Sequence, residues 1–341
     1  MKKEYIIPIF VPHLGCPNDC TFCNQKKISG QKKSVTENEV GEIIEYYLSN
    51  FKDEDKIIEV AFFGGSFTGI DREVQESLLS AAYRYIKNGK VDSIRISTRP
   101  DYIDKKGLDL LKKYGVKTIE LGVQSSNDFI LKKCKRGHNF NDVKKAAKLI
   151  RKNKFNLGVQ MMVGLPESTQ KDEIKTAKDL IKLRPKIARI YPVLVVKNTQ
   201  LETEYLNGEY CPNTLEQAIE TCSILLKMFE KKKVNVIRVG LQSTDEICEP
   251  ENENSQVVAG PYHPAFRQLV ESRILYNDFS ARVKKMNSNI KNIDVHVNPQ
   301  CINNFIGHKR ENILHIKNIY DIDVNVINDE NVKQYKIIKI S

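Results

Sequence analysis

The stretch His13-Leu14-Gly15-Cys16-Pro17-Asn18-Asp19-Cys20-Thr21-Phe22-Cys23-Asn24 follows directly on an apolar run over residues 6–11. Three residues separate Cys16 from Cys20, and two separate Cys20 from Cys23. Spacing this close lets one loop wrap a metal centre. Three thiolates do not complete a four-iron cluster, which takes four cysteines, so one iron stays open to a cofactor or substrate. An open metal position is normally a chemical one. The competing reading is a zinc knuckle with His13 as fourth ligand, since structural zinc prefers four protein ligands.

Outward from this loop, short β-rich runs alternate with helical patterns. The expected strands are 5–11, 57–63, 93–98, 118–123, 157–163 and 188–194, with 234–241 as a possible extra strand. Thr36, with Glu39 three residues on, has the form of a capping box. Asn141 is the expected cap of a helix in which Val143, Ala146, Ala147 and Ile150 share one face, and residues 214–232 form another helical pattern. Strand–helix alternation implies parallel strands with helical crossovers. Six repeats point to an α/β fold, a partial (βα)6 TIM-type barrel, rather than a flat doubly wound sheet. In such folds ligands collect at the C-terminal ends of the strands. The three cysteines lie at that end of the first strand.

The chain has 341 residues, enough for one large α/β domain with a small appendage. Lys and Arg number 54 against 43 Asp and Glu, a net charge of +11, which suits a polyanionic partner. No run has the length of a membrane span or the form of a signal peptide. Cys134, Cys211, Cys222, Cys248 and Cys301 are scattered, which argues against a disulfide framework or a second cluster and for a reducing, cytoplasmic setting.

Further motifs fall at successive strand ends. They are Phe63-Gly64-Gly65-Ser66-Phe67-Thr68, Ser97-Thr98-Arg99-Pro100-Asp101, Glu120-Leu121-Gly122-Val123-Gln124-Ser125, Lys135-Arg136-Gly137-His138, Val163-Gly164-Leu165-Pro166 and Tyr191-Pro192-Val193-Leu194. Glycines at a strand end let a ligand approach the backbone closely. Together with the cysteine loop and the aromatic Phe22 before its third cysteine, this ordered set resembles the radical S-adenosylmethionine (SAM) superfamily. It is most similar to the radical domain of the Elongator catalytic subunit, which modifies wobble uridine in tRNA, over about the first two-thirds of the chain.

The resemblance implies a [4Fe-4S] cluster on Cys16, Cys20 and Cys23, with SAM chelating the fourth iron and yielding a 5′-deoxyadenosyl radical on reduction. It implies a turn at Gly64, Gly65, Ser66 and Thr68 that receives the methionine amino group. Arg99, Gln124 and Arg136 become candidates to face the cofactor, His138 a candidate acid, base or substrate contact, and ferredoxin or flavodoxin the kind of electron donor. Ser97 stands where that subunit carries a glutamate. Nothing after Thr244 reads as an acetyl-coenzyme A fold of adequate length, so the full acetyl-dependent reaction is not expected to carry over.

The expected division is a barrel over 1–243, a linker with closing loop and helix over 244–285, and a small module over 286–341. The run Gly260-Pro261-Tyr262-His263-Pro264-Ala265-Phe266-Arg267 is read as a rigid connector, with His263 and Arg267 meeting substrate as the alternative. The last module resembles the βααβ core of a KH domain, whose two-glycine loop grips a nucleic-acid backbone. Gly307 matches the first glycine and Arg310 replaces the second, so Gly307, His308, Lys309 and Arg310 are the candidate phosphate contacts. The expectation is a radical SAM enzyme acting on RNA, plausibly tRNA. The alternatives are a radical enzyme for a small acidic metabolite, as in the oxygen-independent coproporphyrinogen oxidases, and a non-catalytic iron–sulfur RNA-binding protein.

Overall fold

Along each principal strand, side chains that feed the core alternate with side chains that do not. In β1 (Lys3–Val11) Ile7, Ile9 and Val11 are buried while Ile6 and Phe10 stay exposed. A two-residue period of this kind puts one face of a sheet on a core and leaves the other to a different task. The structure, a computed structural model, describes residues 3–11, 16, 20–24, 35–53, 56–286 and 290–332. His13, on which the zinc alternative depended, lies outside them.

Seven parallel strands pair in the order β1, β2 (Lys56–Gly64), β3 (Ser93–Thr98), β4 (Val116–Gln124), β5 (Asn156–Val163), β6 (Ile187–Pro192) and β8 (Asn235–Val239). The sheet curls into a partial TIM-type barrel. Residues 234–241, expected only as an optional strand, supply its last member, so the barrel has one strand more than the six expected. Between β6 and β8 lies β7 (Val195–Val196), which pairs antiparallel with β9 (Val257–Ala259).

The crossovers are α1 (Glu37–Asn50), α2 (Arg72–Lys87), α3 (Lys105–Lys113), α4 (Asp128–Lys133), α5 (Phe140–Lys152), α6 (Gln170–Lys182), α7 (Gln200–Leu206) and α8 (Leu215–Lys231). Their apolar faces and the outer faces of the strands form one core that includes Phe62, Ile96, Leu121, Met161, Leu79, Ile150 and Phe229. Thr36 caps α1 as expected, with Glu39 returning the bond to the Thr36 amide. The cap of α5 is Asn139, not Asn141. The Asn139 side chain accepts from the Asn141 and Asp142 amides while Asp142 bonds back to the Asn139 amide, so the helix begins two residues earlier than its apolar stripe suggested.

After β9, α9 (Phe266–Val283) packs along α8 and serves two cores. Phe266, Val270 and Ile274 join the barrel core. Leu275, Phe279 and Val283 join a second core with Val295, Phe305 and Ile316. That second core belongs to a βααβ unit of β10 (Asn292–Val297), α10 (Ile302–Ile306), α11 (Glu311–Tyr320) and β11 (Asp323–Asn328), whose two strands are parallel. Asn312 fastens it to α9, donating to Ser272 Oγ at 2.9 Å and to the Phe305 carbonyl at 3.0 Å. Among the described residues no helix is long and apolar enough to cross a membrane.

Candidate active site at the strand ends

The cysteine loop is tied down by backbone bonds at the C-terminal end of the barrel. The Thr21 amide donates to the Cys134 carbonyl at 3.2 Å, the Leu201 amide donates to the Thr21 carbonyl at 2.8 Å, and the Cys23 amide closes a turn on the Cys20 carbonyl at 3.0 Å. Cys20 and Phe22 pack among Ile130, Cys134, Leu165, Val193, Val195 and Leu201. The Cys16 thiol is pushed up by burial, while the Ser66 backbone N–H and the charges of Arg99 and Arg136 act the other way. Cys16 therefore stands against the turn that ends β2, and Cys20 against Arg136. Among the described residues, no three His, Cys, Asp or Glu side chains are gathered closely enough to hold a single metal ion.

That turn depends on glycine. Gly64 has φ +107°, and a Cβ on it would lie 2.5 Å from the Val11 carbonyl oxygen, the last residue of β1. The Gly65 amide donates to the same oxygen at 3.3 Å. Beneath it, Thr98 Oγ1 bridges Ser66 Oγ at 2.8 Å and Thr68 Oγ1 at 2.5 Å. The Arg99 amide donates to Ser66 Oγ at 3.2 Å. The ends of β2 and β3 are thereby locked into one polar platform, with Ser66 and Thr68 committed to internal bonds.

Around the platform stand buried polar groups that the described protein atoms leave partly unpaired. Arg99 forks onto Asp101 through Nε at 3.0 Å and Nη2 at 2.8 Å, but its Nη1 has no partner. Gln124 sits at a register shift of β4 with φ +71°, a left-handed conformation costly for a residue with a Cβ, and its Oε1 is unpartnered. Arg136 donates through Nη1 to Cys20 Sγ at 3.2 Å and through Nη2 to the Gly122 carbonyl at 2.7 Å, leaving Nε unpaired. Neither ring nitrogen of His138 meets a partner of normal geometry. Burial and then the Arg136 charge push its pKa down to about 4, so at neutral pH it is an uncharged imidazole. A buried polar atom without a partner carries a desolvation cost, and here several such atoms gather at one end of the barrel, making it the candidate site for a polar ligand.

Comparison with known proteins bears directly on this arrangement. Residues 10–180 match the model of the Radical SAM superfamily, and residues 185–275 match that of a Radical_SAM C-terminal domain. The chain belongs to the radical SAM superfamily. It is 30% identical over 194 residues to a tRNA uridine(34) acetyltransferase of Methanocaldococcus jannaschii, covering 51% of this chain and 36% of that protein. It is 32% identical over 207 residues to an uncharacterized protein of the same archaeon, covering 59% of this chain and 60% of that one. The match to yeast Elongator complex protein 3 is 27% over 173 residues, 45% of this chain and 31% of the relative. The chain thus spans less than two thirds of the length of these relatives. The structure of Methanocaldococcus infernus Elp3 with an N-terminal deletion superposes with a TM-score of 0.64 at 23% identity, covering 83% of this chain and 64% of that one. SAM-bound SuiB of Streptococcus suis gives a TM-score of 0.51 at 14% identity, over 70% of this chain and 50% of its own. These two likenesses show the shared fold.

As a radical SAM enzyme the chain takes a [4Fe-4S] cluster and SAM, and the residues present fit both. Three cysteines on one loop could serve as thiolate donors for the cluster. The unpaired atoms of Arg99, Gln124, Arg136 and His138 offer donors and acceptors to a ligand that carries an amine, a carboxylate and an adenine. The structure brings these four side chains and the Gly64–Gly65 turn to the same barrel end as the cysteines. It sets Gly307, His308, Lys309 and Arg310 apart, on the turn between α10 and α11, where the three basic side chains are exposed. Lys309 and Arg310 both have positive φ, 48° and 64°. Of the connector, the His263 ring accepts from the Ala265 amide at 3.0 Å, and Arg267 bonds Glu271 at 2.8 Å and the Val236 carbonyl at 2.9 Å, so both take part in seating α9.

Several supporting groups escaped the sequence reading. Thr98 stands inside the Ser97–Asp101 motif, and nothing in that motif announces its bridge between Ser66 and Thr68. The Cys134 carbonyl, which anchors the loop, leaves no sequence signal. Glu173 accepts from the Gly164 amide at 2.6 Å, and Tyr210 donates to the Gly164 carbonyl at 2.6 Å, together fixing the turn that ends β5. Burial pushes the Glu173 carboxyl up to about 7. A glutamate at a helical spacing that places it with Ala177 and Leu180 on the buried face of α6 is a signal the sequence carries.

Proposed function

We propose that the chain is a radical SAM enzyme that modifies a nucleotide of RNA, with tRNA as its substrate. The observation that carries this reading is the 30% identity over 194 residues to a tRNA uridine(34) acetyltransferase. Support comes from the net charge of +11 and from the exposed Gly307–Arg310 turn, whose backbone presents His308, Lys309 and Arg310 to phosphate as a KH loop does. In this scheme residues 1–243 form the catalytic barrel, 244–285 the connection and 286–341 an RNA-gripping module.

Cys16, Cys20 and Cys23 hold the cluster. The backbone at Gly64 and Gly65 seats the amino end of SAM, and the unpaired atoms of Arg99, Gln124 and Arg136 bond its remaining polar groups. When bound, the pair supplies hydrogen-atom abstraction from substrate after one-electron reduction. Arg136 neutralises the Cys20 thiolate and holds it against β4. Neutral His138 donates or accepts one hydrogen bond without adding charge to a site that already contains Arg99 and Arg136. A ferredoxin or flavodoxin delivers the electron, and a reducing cytoplasm suits an oxygen-labile cluster. The test is mass spectrometry of tRNA nucleosides from cells with and without the protein. One modified nucleoside is expected to disappear, and an unchanged nucleoside profile, together with no binding of total tRNA to the reconstituted protein, refutes the reading.

A further inference from the structure

The inner face of the barrel carries side chains that neither the core nor the cofactor site uses. On β1, Ile6 and Phe10 are each 37% exposed although the same strand buries Ile7 and Ile9 completely. Phe10 is the register partner of Phe63 on β2, and their ring centroids are 6.4 Å apart. Across the lumen the Arg189 guanidinium lies 4.7 Å from the centre of the Phe63 ring. The register partner of Arg189 on the edge strand is Arg238. Phe10, Phe63, Arg189 and Arg238 thus form a continuous strip, aromatic at one end and cationic at the other.

The charges on this strip do not balance. Glu59 pairs with Arg95, and Glu120 accepts from Arg95 at 3.1 Å and from Arg189 at 2.6 and 3.1 Å. Arg238 has no hydrogen bond or ion pair among the described residues. Its charged groups in reach are the Arg189 and Arg267 cations and the already neutralised Glu120, with the Tyr191 hydroxyl beside them. Arg189 spends its remaining Nη1 donor on Tyr191 Oη at 3.1 Å. One partly buried cation therefore lacks an anion, near the exposed Phe10 ring and the half-buried Phe63 ring.

We infer that this strip is the nucleotide subsite of the barrel, with a base stacked on Phe10 and Phe63 and its phosphate on Arg238. The assignment rests on the RNA reading above and adds the residues that recognise the reacting nucleotide. A nucleotide combines a flat π face with an anion at short separation, and base–aromatic stacking tolerates any base. A base extruded from an RNA loop is the form in which an enzyme reaches its target atom. Gln160, which donates to Ser97 Oγ at 3.3 Å and to Glu120 at 3.0 Å, lines the same face with polar groups for the edge of the base.

The test uses the reconstituted, SAM-loaded protein, uridine 5′-monophosphate and total tRNA as probes, and the variants Phe10→Ser, Arg238→Gln and the remote pair Lys309→Glu/Arg310→Glu. Melting curves check folding of each. Phe10→Ser and Arg238→Gln are each expected to weaken uridine 5′-monophosphate binding roughly tenfold. The remote pair is expected to leave that binding unchanged and to weaken tRNA binding. If tRNA binds the folded variants as it binds the parent and uridine 5′-monophosphate binding does not depend on either residue, the subsite assignment fails and the RNA reading stands. If neither probe binds the parent and an acidic metabolite without a base binds through Arg238, both fail.

Discussion

Replacing Glu120 by alanine tests the electrostatic frame of the barrel. The carboxylate is fully buried and accepts four hydrogen bonds: one from Arg95 at 3.1 Å, two from Arg189 at 2.6 and 3.1 Å, and one from Gln160 at 3.0 Å. Arg95 keeps a second carboxylate, Glu59, after the change. Arg189 keeps only the Tyr191 hydroxyl and the Phe63 ring. Removing one partner of a buried ion pair costs about 3–5 kcal/mol because a charge is left uncompensated. Most of that loss falls on Arg189, with about 1 kcal/mol more for the Gln160 donor. Urea unfolding of the cluster-free protein, followed by far-ultraviolet circular dichroism, is expected to show this loss in Glu120→Ala and a similar one in Arg189→Met. The double variant is expected to lose at least about 2 kcal/mol less than the sum, since coupled neighbours are not additive. An additive cycle, or a single-variant loss under about 1 kcal/mol, refutes the claim that Glu120 and Arg189 stabilise each other.

Gly64→Ala is expected to fold yet bind less iron on anaerobic reconstitution, because the new Cβ presses on the Val11 carbonyl from which the cysteine loop departs; iron and sulfide content equal to the parent's would contradict this. Arg136→Gln is expected to make the cluster harder to reduce, since a hydrogen bond from a cation to Cys20 Sγ favours the reduced, more negative state, and Arg136→Lys to recover part of the change. A redox titration followed by electron paramagnetic resonance reads it, and identical midpoints for all three proteins rule it out. Glu173, held up to about 7, makes the fold prefer the protonated carboxyl, so stability is greatest below the ordinary glutamate range and falls as pH rises through about 7. The loss is up to about 3 kcal/mol; Glu173→Gln should remove that slope in urea midpoints, and an unaltered slope would assign the pH dependence to other groups.

The fold was legible because its signals are local. The alternation in β1, the capping box at Thr36 and the glycines after β2 each announce themselves within a few residues. The start of α5 was misplaced because Asn139 and Asn141 are equally good caps by type, and only the reciprocal bond from Asp142 separates them. The inner-face network was not legible. Glu120 and Arg189 stand 69 residues apart, and a period of two tells which face each side chain takes but not which neighbour it meets. The family was readable through the cysteines and strand-end motifs, whereas the carbonyl that anchors the loop, that of Cys134, is a group any residue supplies.

The contrast between the two levels of the barrel gives the functional assignment its physical basis. At mid-barrel the carboxylates Glu59 and Glu120 are fully matched by Arg95, Arg189, Ser93 and Gln160. At the C-terminal ends, Arg99 Nη1, Gln124 Oε1, Arg136 Nε and both nitrogens of His138 are buried without a partner among the described residues. Elsewhere among the described residues only Thr21, Gln75 and Gln256 have such an atom, and Thr21 belongs to the cysteine loop itself. Each such atom costs about 1–3 kcal/mol, a heavy concentration in a protein whose total stability is of order 10 kcal/mol. The strained Gln124 backbone adds to it. A chain able to match both carboxylates one layer down has no structural reason to tolerate that cost. On the proposed function a polar ligand completes the bonds of these atoms, and its binding would return as stability what the ligand-free fold gives up.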